Sequence, residues 1–267
     1  MHIIDRGSGT PVVLIPGIQG RWEWMAPVVD ALSQRCRVIT FSLCDEPSSG
    51  FPSDPARGVE NYLTQLDQVF EHTGLSDAVV IGVSYSGPVA MEFTARRPER
   101  VRALMLVSAL PPDWQPDARA RFYLRAPLLL SPVFLIDAPM RAFREVRAAL
   151  PRLGPRARFS LLQLGRAARY FVSPTRMAAR IGWLGQFRFS DPALIRKPVM
   201  VITGEPGLDR VVAPALTRRY VDAIPHARHA VIPCTGHLCL LTKPTEFTTL
   251  VCRFLDEISE NARRATA

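Results

Sequence analysis

The stretch Ala78-Val79-Val80-Ile81-Gly82-Val83-Ser84-Tyr85-Ser86-Gly87 decides the fold of this chain. Its first residues are apolar and mostly β-branched, which is typical of a strand buried on both faces. The residues from 88 to 97 follow with the spacing of a helix. A serine among small residues between a strand and a helix indicates a sharp turn that projects its hydroxyl from the carboxyl edge of a sheet. The stretch therefore predicts Ser84 as a nucleophile.

Short apolar runs alternate with helical patterns on either side of this stretch. The runs predicted to be strands are 12–15, 37–41, 78–83, 101–107, 198–203 and 229–232. The segments predicted to be helices are 26–33, 59–72, 88–97, 214–223 and 246–258. This alternation predicts an α/β fold, with a mostly parallel, doubly wound sheet covered by helices on both faces.

The alternation stops between residues 111 and 190, where no strand pattern is found and helical patterns occur at 140–150 and 159–170. A loop of this length without structure is uncommon in a compact domain. We expect residues 1–110 and 191–267 to form the core, and residues 111–190 to form an inserted helical cap.

Composition excludes several classes of protein. The chain has 267 residues, of which 48% are hydrophobic and 21% charged. These values exclude a disulfide miniprotein, a collagen-like chain and a mostly disordered chain. The five cysteines are an odd set without CxxC spacing, so we expect free thiols.

The residues around Ser84 resemble the nucleophile elbow of the α/β-hydrolase family, in its serine-nucleophile, helical-cap form. The family's pattern is G-x-S-x-G, and Ser86 stands here in place of its last glycine. Downstream, Asp209 follows a predicted strand at a position similar to the family's acid turn, and His237 lies in a Gly-His loop after the next strand. The resemblance implies a Ser84-Asp209-His237 triad, in the order that this fold uses.

Some assignments within this triad stay open at the level of sequence. Glu205 or Asp45 could serve as the acid in place of Asp209, and Ser86 is a weaker alternative nucleophile because it lies a step into the helix. Cys234, His237 and Cys239 could be imagined as metal ligands, but they are crowded into one loop without a partner pair elsewhere. We predict no metal and no organic cofactor.

The resemblance also implies an oxyanion hole made of two backbone N–H groups. One would come from Tyr85, which follows the nucleophile, and the other from Ile18 in the loop Pro16-Gly17-Ile18-Gln19-Gly20. Proline replaces the histidine that the family has in this loop, but a backbone donor does not depend on that side chain.

The triad predicts a serine hydrolase that cleaves a carboxylic ester through an acyl-enzyme intermediate. The same scaffold also hosts carbon–carbon bond hydrolases, perhydrolases and acyltransferases, and a slow-turnover receptor that retains the triad is a further alternative. Apolar side chains near the oxyanion loop and in the cap are candidates for binding a small ester. The candidates are Trp22, Phe122, Tyr123, Leu129 and Phe134.

Positive charge is concentrated in the predicted cap. Residues 113–188 contain fourteen arginines and four acidic residues, whereas the whole chain has a net charge of +9. This surplus indicates either solvated helix faces or an acidic partner or anionic surface. No nucleic-acid-binding motif accompanies the charge. We find no export signal and no apolar run long enough to span a bilayer, and we expect a cytoplasmic protein.

Overall fold

The computed structural model describes residues 1–266, with the exception of the side chains of Phe134, Ala262, Ala265 and Thr266. In this part of the chain seven strands form one sheet, in the order β1-β3-β2-β4-β5-β6-β7. The strands are β1 (Ile3–Arg6), β2 (Pro11–Ile15), β3 (Arg37–Phe41), β4 (Ala78–Val83), β5 (Val101–Val107), β6 (Val199–Thr203) and β7 (Arg228–Val231). All neighbouring strands are parallel except β1, which pairs antiparallel with β3. The predicted α/β fold class is confirmed.

Strand β1 is the one strand of this sheet that the apolar runs did not indicate. It lies at the sheet edge, where Asp5 and Arg6 are exposed. An edge strand needs only one neighbour and tolerates charged side chains, so it lacks the continuous apolar pattern of the central strands.

The central strands separate two hydrophobic layers. Along β4, Ala78 and Val80 pack in one layer, whereas Val79, Ile81 and Val83 pack in the other. This division follows from the two-residue period of a strand, which sends successive side chains to opposite faces. Burial of each such valine or isoleucine contributes about 1.5–3 kcal/mol to stability. A strand whose side chains pack in both layers is therefore apolar along its whole length.

Helices cover both faces of the sheet. Side chains of α1 (Ala26–Leu32) and α10 (Pro244–Thr266) join one layer, next to the short helix α9 (Cys239–Thr242). The other layer is covered by α2 (Glu60–Thr73), α3 (Gly87–Arg96) and α8 (Pro214–Ala223). This is the doubly wound arrangement, and it leaves the carboxyl edge of the sheet free for a site.

Between β5 and β6 the chain forms four helices among its described residues. They are α4 (Ala118–Arg125), α5 (Ser131–Ala149), α6 (Leu153–Arg169) and α7 (Pro174–Gln186). We call residues 111–190 the inserted segment. The two predicted helical patterns, 140–150 and 159–170, overlap α5 and α6 and each extends one residue beyond its helix. The division of the chain into core and cap stays a prediction. Of all the described helices, none has both the length and the hydropathy to cross a membrane.

Candidate active site

Ser84 lies at the turn between β4 and α3, with a left-handed backbone conformation (φ 54°). Such a conformation is strained for any residue with a side chain and persists only where the surrounding structure enforces it. Two glycines make the turn possible. A Cβ on Gly82 would lie 2.6 Å from the Cβ of Ala90, and a Cβ on Gly87 would overlap Ala109. The strand and the helix can therefore approach closely enough to hold Ser84 at the sheet edge.

Ser86 has a structural role in the same turn. Its hydroxyl oxygen accepts a hydrogen bond from the Val83 amide at 2.9 Å, and the hydroxyl contacts the carbonyl oxygen of Ile15 at 2.9 Å. The side chain is fully buried. The serine that replaces the usual glycine thus ties the turn to strand β2, whereas Ser84 has no such tie to the sheet.

His237 and Asp209 form a partly buried pair in the loops that follow β7 and β6. The Nδ1 atom of His237 lies 3.1 Å from Oδ2 of Asp209. The other oxygen of Asp209 accepts hydrogen bonds from the amides of Val211 at 3.0 Å and Val212 at 2.8 Å. An ionised carboxylate can only accept, so Nδ1 carries the proton and Nε2 of His237 has a free lone pair.

The electrostatics of the pair agree with this assignment. Burial opposes ionisation of Asp209, but His237 and the two amides outweigh it and hold the pKa of Asp209 below its usual value. Burial alone would lower the pKa of His237. Asp209, and to a smaller extent Glu145, outweigh burial and the opposing charge of Arg141, so the pKa of His237 is raised.

Two glycines allow the loops of Asp209 and His237 to pack backbone against backbone. A Cβ on Gly236 would lie 2.5 Å from the amide nitrogen of Asp209, and a Cβ on Gly204 would overlap Gly236. The alternative acids have other hydrogen-bond partners. Asp45 binds Arg180 at 2.9 Å, and Glu205 accepts a hydrogen bond from the amide of Cys234 at 2.9 Å. Of the three candidate acids, Asp209 is the one bound to His237.

The loop at residues 16–20, which was predicted to supply an oxyanion donor, adjoins Ser84. A Cβ on Gly17 would be 3.7 Å from the Cβ of Ser84. The carbonyl oxygen of Ile18 accepts a hydrogen bond of 2.6 Å from Nη1 of Arg180. Gly20 has a positive φ of 73°, and a Cβ there would overlap the Arg180 guanidinium. The loop is therefore shaped around this guanidinium.

Arg180, on helix α7, is a site residue that the sequence did not single out. Its side chain is fully buried, and besides Ile18 it binds Asp45 at 2.9 Å and Glu46 at 2.6 Å. The backbone carbonyl of Arg180 accepts a hydrogen bond of 3.1 Å from the hydroxyl of Tyr85. One residue of the inserted segment thus contacts both residues whose amides are candidates for the oxyanion hole.

Glu145, on helix α5, is a second site residue that the sequence did not single out. Its side chain is buried, and Oε1 accepts hydrogen bonds from the amides of Gly236 at 2.7 Å and Leu238 at 2.6 Å. The hydroxyl of Thr235 donates a third bond of 2.9 Å to the same oxygen. The inserted segment therefore binds the loop on both sides of His237.

Comparison with known proteins shows which family this chain belongs to. The family described as "alpha/beta hydrolase fold" matches residues 10–244. The chain belongs to the α/β-hydrolase family. This membership supports a hydrolase, and the fold brings the turn of Ser84 and the loops of Asp209 and His237 to one edge of its sheet.

Among curated relatives, the protein named "Putative carbamate hydrolase RutD" from Azorhizobium caulinodans is 27% identical over 264 residues, which cover 95% of this chain and 94% of that protein. Among solved structures, a bromoperoxidase from Bacillus anthracis superposes with a TM-score of 0.78 at 20% identity, covering 95% of this chain and 94% of that one. The enol-lactonase from Burkholderia xenovorans LB400 gives a TM-score of 0.75 at 19% identity, with 96% of each chain covered. At these identities the two structures establish the fold of this α/β hydrolase.

The predicted substrate-binding side chains of this α/β hydrolase lie mostly at the surface. Trp22 is half-buried and stacks under the guanidinium of Arg6. Phe122 is exposed and packs edge-to-face on Tyr123, whose hydroxyl lies 3.3 Å from Asp137. Leu129 is also exposed, and the side chain of Phe134 lies outside the described residues. A role for these side chains in binding substrate stays a prediction.

The cysteines near His237 have different environments. Cys234 is exposed, whereas Cys239 is buried and burial raises the pKa of its thiol far above the ordinary value. A buried protonated thiol is a poor metal ligand, because the thiolate is the form that binds. Across the described residues, His, Cys, Asp and Glu side chains form no group of three or more that could hold a metal ion.

Proposed function

We propose that the protein is a serine hydrolase that cleaves a carboxylic ester through an acyl-enzyme intermediate. Ser84 is the nucleophile, His237 the general base and Asp209 the residue that orients it. The observation that carries the proposal is the partly buried His237–Asp209 pair, with Nδ1 and Oδ2 at 3.1 Å, at the same edge of the sheet as the strained turn of Ser84. A histidine fixed in this tautomer presents Nε2 to the nucleophile.

In the acylation step, the Oγ atom of Ser84 attacks the substrate carbonyl carbon and its proton passes to Nε2 of His237. The carbonyl π electrons move onto oxygen, and the amides of Ile18 and Tyr85 bind the resulting oxyanion. The tetrahedral intermediate collapses when the bond to the leaving alcohol breaks, and His237 returns the proton to that alcohol. Water then attacks the acyl-enzyme by the same route and releases the acid and free Ser84.

The inserted segment acts in this proposal as a cap that holds both halves of the site. Glu145 binds the amides on either side of His237, and Arg180 binds the carbonyl of Ile18. Each group is buried, so its hydrogen bonds are strong and costly to break. The cap thereby contributes to the position of the base and of the oxyanion loop.

Carbamate hydrolysis is a second candidate, favoured by the similarity to RutD over 95% of the chain. A carbamate has the same carbonyl geometry as an ester, and the triad would form a carbamoyl-enzyme on Ser84. The two candidates differ only in the acyl part of the substrate. They can therefore be separated with substrates that share one leaving group.

The test compares p-nitrophenyl esters of increasing acyl length with a p-nitrophenyl N-alkyl carbamate, for the parent protein and for Ser84→Ala. We expect multiple turnovers in the parent and a fall in kcat of about 10³–10⁶ in the variant. Faster steady-state turnover of the carbamate than of every ester would assign the second candidate. Release of one equivalent of nitrophenol without further turnover would contradict the proposal of an enzyme and favour a receptor. Unchanged turnover in Ser84→Ala would rule out Ser84 as the nucleophile.

A further inference from the structure

Helix α6 carries an apolar stripe on its outward side. We call Leu153, Ala157, Leu161, Leu164 and Ala168 the α6 stripe. These residues are spaced as one face of a helix, and all five are exposed. The leucines Leu153, Leu161 and Leu164 are 75%, 71% and 67% exposed. A surface helix ordinarily turns such a stripe toward the core and its polar residues outward, so the orientation of α6 is inverted.

Helix α5 repeats this inversion. Val133, Ile136, Met140 and Phe143 are all exposed, and we call them the α5 stripe. Glu145, which binds the His237 loop, lies roughly 140–160° round the helix from Met140 and Phe143. Because Glu145 marks the side of α5 that contacts the site, the α5 stripe lies on the side away from it. The stripe is therefore not part of the wall of the catalytic site.

Arginines border both stripes. At about 100° per residue, Arg158 and Arg169 lie on one side of the α6 stripe and Arg156 on the other. Helix α6 has no acidic residue, and Arg144 and Arg147 follow the α5 stripe. In the described part of the chain, four of these five arginines have no ion pair or ring contact, and Arg169 has only a ring contact with Tyr170. On each of the two helices, unpaired charges therefore lie beside exposed apolar side chains.

We propose that the α5 and α6 stripes and their arginines form one surface, and that this surface docks on an anionic phospholipid bilayer. A bilayer supplies hydrocarbon for the leucines and phosphates for the guanidinium groups at the same interface. Helices of this kind lie in the interface plane, with the apolar side about 5–10 Å deep. Arginine side chains at the borders extend to the headgroups while their methylene groups stay in apolar surroundings.

The charge of the surface favours lipid over other occupants. A second copy of this chain would bring two strongly positive surfaces together, since residues 113–188 contain fourteen arginines and four acidic residues. A nucleic acid would pair with the arginines but would leave the exposed leucines in water. The bilayer satisfies both components. The proposal goes beyond the proposed function and does not depend on Ser84 being the nucleophile.

The test is cosedimentation of the full chain with vesicles of phosphatidylcholine containing about 30 mol% phosphatidylglycerol, compared with phosphatidylcholine alone. We expect binding to the anionic vesicles and at least about tenfold weaker binding to the neutral ones. Raising the ionic strength from about 0.1 M to about 1 M shortens the Debye length from about 10 Å to about 3 Å and should weaken the binding further. Ser84→Ala should bind like the parent, which separates docking from catalysis.

Two double variants test the leucines and the arginines of this surface in turn. Leu161→Glu with Leu164→Glu should lower the affinity for anionic vesicles by about tenfold or more. Arg158→Gln with Arg169→Gln should lower it by a similar factor while leaving the weak binding to neutral vesicles unchanged. The matched control is Leu194→Glu, because Leu194 is 62% exposed but lies outside the inserted segment. All five positions are at the surface, and circular dichroism confirms that each variant folds.

Equal binding of the parent and the Leu161→Glu, Leu164→Glu variant would overturn the proposal, as would failure of the parent to bind anionic vesicles. Analytical ultracentrifugation supplies a further outcome against it. If the parent were a dimer that this double variant converts to a monomer, the surface would be assigned to a second copy of the chain. A last outcome would assign the surface to a protein partner. It is that the parent binds anionic vesicles no better than neutral ones, and that an acidic protein competes with the vesicles for this surface.

Discussion

Glu145 binds the backbone on either side of His237, the residue whose imidazole contacts Asp209. Its Oε1 atom accepts hydrogen bonds from the amides of Gly236 and Leu238, the two neighbours of His237, and its charge raises the pKa of His237. Two carboxylates therefore act on one imidazole. Asp209 binds the ring directly, whereas Glu145 acts through the backbone and through its field.

The first prediction separates the charge of Glu145 from its hydrogen bonds. Glu145→Gln keeps an oxygen that can accept the three bonds now made to Oε1 but removes the charge. A base must be neutral to act, so activity falls as pH drops through the pKa of His237. Since Glu145 and Asp209 raise that pKa and burial and Arg141 lower it, loss of the Glu145 charge should move the acid limb of kcat/KM to lower pH.

Two further variants complete this test. Glu145→Ala should also lower kcat and destabilise the fold by about 1–3 kcal/mol, because buried amides lose their acceptor. Glu92→Gln is the control, since Glu92 is equally buried and accepts a hydrogen bond from the Ser190 amide but does not act on His237. If the acid limb of kcat/KM in Glu145→Gln fell at the same pH as in the parent, Glu145 would be only a structural contact.

The second prediction concerns Arg180, which neutralises Asp45 and Glu46 in the interior. Arg180→Met leaves Asp45 buried without its cationic partner and leaves Glu46 with Arg176 alone, and we expect the free energy of unfolding to fall by about 3–5 kcal/mol. The measurement is chemical denaturation of the parent and the variant. In a variant that still folds, loss of the bond to the Ile18 carbonyl should also lower kcat more than it raises KM, because oxyanion binding matters most in the transition state.

Arg176→Met is the matched control for Arg180→Met. Arg176 binds the same Glu46 at 3.1 Å, but its side chain is 31% exposed and it does not contact the oxyanion loop. A partly exposed pair contributes about 0–1 kcal/mol. If Arg176→Met cost as much stability and activity as Arg180→Met, the oxyanion loop would not depend on Arg180 in particular.

Sequence patterns predicted the strands and helices whose apolar residues follow one regular spacing. Strands β4 and β5 were recognisable because side chains on both of their faces are buried, and β1 was not because Asp5 and Arg6 face solvent at an edge. Ser84 was predicted from the strand, turn and helix around it, and Asp209 and His237 were predicted because their loops resemble those of the α/β-hydrolase family.

Glu145 and Arg180 could not be identified in the same way. Glu145 is one acidic residue on a helix with no motif around it, and Arg180 is one of fourteen arginines between residues 113 and 188. Their importance comes from partners that are about ninety and about 130–160 positions distant in the chain. The sequence offers one indirect signal, because Gly20 must lack a side chain to make room for the Arg180 guanidinium.

The third prediction distinguishes the two serines of the elbow. A fluorophosphonate probe should form a covalent adduct with the parent and with Ser86→Ala, but not with Ser84→Ala, as measured by intact-protein mass. Ser86→Ala should instead lower stability by about 1–3 kcal/mol, because the buried Val83 amide loses the acceptor that it has at 2.9 Å. A probe adduct that persists in Ser84→Ala and disappears in Ser86→Ala would reverse the two roles.

The fourth prediction ranks the three acids that the sequence left open. Asp209→Asn replaces the oxygen that fixes the His237 tautomer, and kcat should fall by about 10³–10⁴. Glu205→Gln should have little effect on kcat, because Glu205 contacts the Cys234 amide and not the imidazole. Asp45→Asn should reduce stability more than kcat, since Asp45 binds Arg180 and the hydroxyl of Tyr62. Measuring kcat and the free energy of unfolding on each variant distinguishes the three effects. If Asp45→Asn or Glu205→Gln lost more kcat than Asp209→Asn, the residue replaced in that variant would be the acid instead.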